Sequence, residues 1–179
     1  MRRSRLALLF LLGAWTAGTL FMWQVAIQNF AVAERVAASG DEGLRLVTGD
    51  LSDEGLREAL RFQASEVNRL FFTGWGWVQF PLAGAVLLLA WRSQTGLAPA
   101  VLAGIMLALV VLMTVFLVPE SVRLGRLIDF AADGDLVETR DTFWVLHHTY
   151  TGFDMLKIAL GLAGAGLVFR RSRPAATRI

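Results

Sequence analysis

The amino-acid sequence predicts an all-α fold, an integral membrane four-helix bundle whose helices extend beyond the membrane on the outer side. The first observation behind this is composition: 55% of the 179 residues are hydrophobic and only 18% are charged, more apolar than an ordinary soluble domain. The second is segmentation. Four apolar runs, at about 6–30, 71–91, 97–118 and 153–169, each approach the ~20 residues that a bilayer core requires. The third is charge. Arg2, Arg3 and Arg5 precede the first run, Arg92 lies between the second and third, Arg170, Arg171, Arg173 and Arg178 follow the fourth, and no acid accompanies them. Segment 31–70 instead carries five arginines against eight acids, and 119–142 carries three against six, so each is net −3. This is the positive-inside pattern. It predicts a single four-span domain over residues 1–179 in a plasma (inner) membrane, with both termini cytoplasmic.

The first span opens with "MRRSRLALLFLLGAWTAG", which has the look of a signal peptide, but its apolar run continues well past a 7–15-residue signal core and reads as a retained span. Before the second span, "SDEGLREALRFQASEVNRLFF" places Leu56, Leu60, Val67 and Leu70 at three- and four-residue steps, with Ser52 and the following acids as a helix start. That helix should run from about Asp53 to Trp91, or about 58 Å at 1.5 Å per residue, nearly twice the hydrocarbon thickness. The third span extends likewise through "PESVRLGRLIDFAA", beyond a kink expected at Pro119. The fourth begins in polar sequence near residue 147 and runs to 169. Breaks fall at "SGDEG", "TGD" and "ADGD", which are turn chemistry, and residues 39–52 read as an irregular outer loop.

A faint repeat relates the two halves. Aligning Arg92 with Arg170 pairs "RLFFTG" with "HHTYTG" and sets Gln79 opposite Lys157. Each half is then one helical hairpin, and the two are related by an axis along the membrane normal. Counting from the arginines puts Lys157 and Gln79 about 20 Å into the membrane and Asp154 about 24 Å, with Gln24, Gln28, Glu120 and His147 near the outer end. These residues, with Tyr150, form the polar intramembrane cluster that the sequence predicts.

Energetics decides which way that cluster faces. The eight Leu, Ile, Val and Phe residues of 153–169 favour insertion by roughly −2.4 to −4.8 kcal/mol together, whereas Asp and Lys at the centre oppose it by about 2.5–3.5 kcal/mol each. Asp154 and Lys157 should therefore face the bundle interior. Three residues apart, they lie on one helix face and can pair. Two readings stand: a neutralised ion pair that fixes packing, or an intramembrane site for a ligand, ion or proton.

Small residues predict close helix approach at Ala14 and Gly18, at Ala100, Gly104 and Ala108, and at Gly161 and Ala165. Cysteine is absent, so thiolate chemistry is excluded. Adjacent His147 and His148 point about 100° apart, so they cannot be the facing ligands of one haem; a metal site would need Asp154, Glu120 or Met155 beside one of them. No phosphate-binding loop, dinucleotide fingerprint or nucleophile elbow appears, and neither a cofactor nor a nucleic-acid partner is implied.

The stretches "LGAWTAGTLFMWQVAIQNF", "FQASEVNRLFF" and "FWVLHHTYTGFDMLK" together resemble the transmembrane protein 205-like family of small four-helix membrane proteins. The resemblance covers the spans, leaves residues 39–52 outside it, and implies topology but no catalytic residue. The sequence thus leads to a non-catalytic accessory or binding protein, holding membrane lipid, a hydrophobic ligand, another membrane subunit or a second copy of itself. An ion or proton conductor using Gln79, Asp154, Lys157 and His147 is the alternative, and a membrane oxidoreductase or metal protein the next.

Overall fold

The computed structural model describes residues 2–49, 51–94, 96–132 and 134–172. Helix α1 spans Arg2–Ala38, α2 Glu42–Val47, α3 Asp53–Arg92, α4 Leu97–Leu112, α5 Val118–Ile128 and α6 Val137–Ser172, with a π-helical segment Met113–Leu117 joining α4 to α5. Four long rods result: α1, α3, α4 continued through the π segment into α5, and α6. All four are long and apolar enough to cross a membrane.

The rods pack as a square in chain order. α1 touches α3 and α6, and α4 touches α3 and α6, so α1 is diagonal to α4 and α3 to α6. The buried positions explain this. Leu8, Leu12, Trp15, Thr19 and Met22 of α1 recur at alternating steps of four and three, as do Gly76, Gln79, Ala83, Val86 and Ala90 of α3 and Asp154, Lys157, Gly161, Gly164 and Val168 of α6. A 3.5-residue repeat keeps one narrow stripe on the bundle axis, which is the geometry of antiparallel four-helix bundles. Away from that stripe the surface is apolar: Phe10 is 73% exposed, Phe21 64% and Phe116 61%. Such patches are foreign to soluble monomers and suit a hydrocarbon solvent.

Local chemistry sets the ends. Gly40, at φ +62°, lies just past α1 in the left-handed region that terminates helices. Residues 39–52, expected as irregular, instead contain α2, because the Asp41 carboxylate accepts the Leu44 N–H at 2.8 Å and caps a short turn of helix. Ser52 caps α3 as its sequence predicts, accepting the Gly55 N–H at 3.0 Å. α1 and α6 also exceed their apolar runs, α1 reaching Ala38 and α6 starting at Val137.

The expected kink at Pro119 takes the form of the π segment. Proline lacks an N–H and its ring crowds the carbonyl four residues back. The extra residue in the turn relieves this, and the Val118 N–H bonds the Met113 carbonyl, five residues back.

The two ends of the bundle are tied differently. At one end Arg5 donates to the carbonyls of Ser93 at 3.2 Å and Arg171 at 3.4 Å, gathering the start of α1 and the ends of α3 and α6. The basic residues of three segments thus share one end, while Arg173 and Arg178 lie outside the described residues. At the other end Arg69 of α3 donates to both Asp129 oxygens at 2.8 and 2.7 Å, and to Glu66. Gly125 makes room for it, since a Cβ there would lie 2.9 Å from the Arg69 guanidinium.

The small-residue faces are only partly where the sequence put them. Trp75 covers Gly18, Gly161 is buried, and Ala165 packs against the core, but Ala14 is exposed. On α4 the interior uses Ala100, Ala103, Met106 and Val110, while nothing lies within 4 Å of a Cβ at Gly104, and Ala108 is exposed. A run of four-residue steps drifts about 40° per step around the helix, so of these three α4 positions only Ala100 stays on the axis.

α3 and the π segment approach closely where Gly76 meets Thr114: a Cβ there would lie 2.9 Å from the Thr114 Cγ2 and Oγ1. Gly76→Ala should overpack this contact and destabilise by about 1–3 kcal/mol. Gly84→Ala, on the same helix with nothing within 4 Å, should be neutral or stabilising. Thermal unfolding of both variants in detergent checks the contrast; equal midpoints would contradict it.

Candidate functional site

The interior polar cluster is built from α1, α3 and α6. Lys157, 2% exposed, and Asp154, 1% exposed, form an ion pair of 2.8 Å one turn apart on α6. Lys157 Nζ also donates to Gln79 Oε1 at 2.6 Å, crossing the diagonal of the square to α3. The same oxygen accepts the Trp15 indole N–H of α1 at 2.9 Å, and Asp154 Oδ2 accepts the Trp23 indole N–H at 3.1 Å. Gln79 and Lys157 therefore meet at one depth, where the Arg92/Arg170 register sets them.

This arrangement addresses the cost of buried charge. An uncompensated ion in apolar surroundings is strongly unfavourable. Here lysine has an anion and an amide oxygen, and the carboxylate has a cation and an indole donor. Below the cluster the bundle is closed. The seam between Leu8, Leu12, Val86, Met106 and Gly164 leaves only about 10 Å³, at the lower limit for one water.

Other predicted members lie elsewhere. Gln24 and Gln28 are exposed on α1. Glu120 points away from the cluster and takes two bonds from Arg123 of its own helix. Tyr150 is half-buried one turn above Asp154, its ring edge-on to Phe72 at 5.5 Å. His147 is exposed and stacks on Phe143 at 6.1 Å, and no hydrogen bond or ion pair joins it to Asp154 among the described residues. Among the described residues, no three His, Asp or Glu side chains converge as a metal site. The sequence reading missed Trp15 and Trp23. Their signal was the stripe: Trp15 recurs with Leu8, Leu12 and Thr19 at steps of three and four, and Trp23 borders it.

A second feature lies on the flank between α3 and the rod formed by α4, the π segment and α5. It is an open groove of about 550 Å³, lined by Thr73 and Trp77 on one wall and by Thr114, Val118, Pro119, Val122, Arg123 and Arg126 on the other. This size falls within the roughly 300–1,000 Å³ range of small-molecule sites. Its floor carries Thr114, 6% exposed, whose hydroxyl has no hydrogen-bond partner. At its charged end Arg123 is held by Glu120, and Arg126 donates to Glu66 at 3.1 and 3.0 Å.

Comparison with family models, with curated proteins and with solved structures finds no match. The reading of both features rests on their geometry.

The interior cluster makes a sharp prediction. Lys157→Met alone leaves Asp154 buried without its cation and should cost about 3–5 kcal/mol, whereas Asp154→Leu combined with Lys157→Met should recover most of the loss. Gln79→Leu, which strands the Trp15 N–H and one lysine bond, should cost about 1–3 kcal/mol. Detergent unfolding midpoints of the three variants are the measurement; a double variant less stable than Lys157→Met alone would refute a purely structural pair.

Proposed function

We propose that this chain is a non-catalytic, multi-pass protein of a bacterial inner membrane that holds a lipid or hydrophobic ligand between its helices, as an accessory subunit or small oligomer. The groove between α3 and the π segment is the observation that carries this reading. It is a sizeable opening beside a closely packed interior, and it combines apolar walls with a charged end. Few convergent polar groups in a mostly apolar cleft are the usual make-up of a ligand site. The apolar flanks and the arginines gathered beside Arg5 support a membrane setting with that end cytoplasmic. The transmembrane protein 205-like resemblance agrees with such a topology.

A second reading, an ion or proton conductor, is favoured by the buried Asp154–Lys157 pair, because intramembrane ionisable groups often mark transport paths. The closed seam below it and the placement of His147 outside it weigh against a continuous path. Proteoliposome flux shown by the wild type and abolished in the folded Asp154→Leu, Lys157→Met double variant would establish conduction through the pair; flux indifferent to that change would remove it.

The binding reading predicts that protein extracted in mild detergent carries lipid in a fixed ratio, seen by native mass spectrometry. Val122→Trp, which fills the groove from the α5 wall, should lose most of that lipid while keeping the wild-type unfolding midpoint. Thr73→Trp should do the same from the α3 wall. Lipid retained undiminished by both variants would overturn the reading.

A further inference from the structure

Resting on the binding reading above, the geometry points to a zwitterionic phospholipid bearing a phosphoethanolamine headgroup as the ligand of the groove, we infer, rather than an anionic lipid. The charged end decides this. Arg123 and Arg126 each engage a carboxylate through Nε and Nη2, Arg123 with Glu120 and Arg126 with Glu66. Each guanidinium therefore keeps its Nη1 donors for a further acceptor. Both are solvent-accessible, with side chains 58% and 60% exposed. A phosphodiester supplies the planar pair of oxygens that guanidinium edges take best.

A carboxylate is available beside them. Glu120, its side chain 42% exposed, accepts only from Arg123 and retains lone pairs for a primary ammonium, which has three donors, whereas Glu66 also accepts from Arg69 at 2.6 Å. With Arg69 and Asp129 paired behind them, three cations and three anions make this end electrically neutral but internally alternating. A headgroup with one phosphate and one ammonium matches that alternation; a net anion leaves the carboxylates opposed. The wider field acts the same way, since segments 31–70 and 119–142 are each net −3, and exposed like charges repel an anionic headgroup.

Heights along the rod agree. Thr114 lies nine residues before Arg123, about 13 Å along the axis, and arginine side chains lean back toward the helix start and so toward it. A phosphate at the guanidinium edges places the lipid's glycerol region over the stretch of the groove lined by Thr114 and Val118. The acyl chains then run down over Trp77, whose ring leans on Phe80 at 5.5 Å.

The test exchanges full-length protein into nanodiscs of equal phosphatidylethanolamine and phosphatidylglycerol, then counts retained lipid by native mass spectrometry. Phosphatidylethanolamine should be retained about tenfold over phosphatidylglycerol, the factor one added charge-assisted contact supplies. Glu120→Gln should shrink that preference with lipid still bound, and Arg123→Gln should weaken retention of both lipids. Equal retention, or a preference for phosphatidylglycerol, overturns the headgroup assignment and leaves the groove as a lipid site. No lipid retained by the wild type, or the same retention in Val122→Trp and Thr73→Trp, overturns the groove itself.

Discussion

The contact on which the bundle depends is the 2.6 Å hydrogen bond from Lys157 across the diagonal to Gln79. Neighbouring helices in a square touch through their backbones and small side chains, but diagonal ones do not, and here a long cationic side chain spans the gap. Lysine resists apolar surroundings by about 2.5–3.5 kcal/mol, and that resistance gives the contact its selective force. The charge is tolerable only where α1, α3 and α6 all contribute, through Trp23 on Asp154, Trp15 on Gln79, and Asp154 itself. If α6 slid by one turn, about 5.4 Å, Lys157 would lose the amide and keep the cost of burial. The network thus fixes the register of three helices at once, a task that aliphatic packing performs loosely because one leucine substitutes for another.

Much of this was legible in the sequence because the quantities involved are axial. Counting from the flanking arginines gives height, and height alone puts Gln79 beside Lys157. The helix extensions follow from periodic leucines and from the Ser52 cap, and both are present. What counting along the chain does not give is direction around the helix. Gln24 follows Trp23 by one residue, a rotation of about 100°, which suffices to carry it from the bundle to the exposed surface. The two indoles were overlooked for a related reason. Tryptophan in a membrane protein is read first as an interfacial anchor, and only its place on or beside a buried heptad stripe shows that its N–H donates inward.

Glu120 shows a subtler failure. The π segment adds one residue to the turn before it, so every side chain beyond is rotated by about 100° from where an α-helical count puts it. Nothing in "LVPE" announces that insertion, since proline requires only that the preceding turn yield, and a bend is the commoner outcome. His147 shares the stripe with Asp154 but lies two turns higher, exposed, where it stacks on Phe143 and meets Trp144 edge-on on its own helix. Spacing identifies the stripe; only the assembled helices show where enclosure ends.

The same insertion accounts for the asymmetry between the two halves of the bundle. Toward the Arg5 end, small and aliphatic residues on strict heptads close the interior to a void of about 10 Å³. Toward the other end, the widened turn brings Thr114 hard against Gly76, and the groove opens beside that contact. Thr73, one turn above Gly76, and Trp77, beside it, become one wall; Val118 and Val122, beyond the insertion, become the other. Gln79 lies one turn below Gly76 on the same helix, facing inward. α3 therefore presents the register-setting amide to the interior and the groove wall to the outside within seven residues, Thr73 to Gln79. Any ligand seated in the groove rests on the part of α3 that the buried lysine already holds in place, which gives a flexible amphiphile a rigid surface to bind.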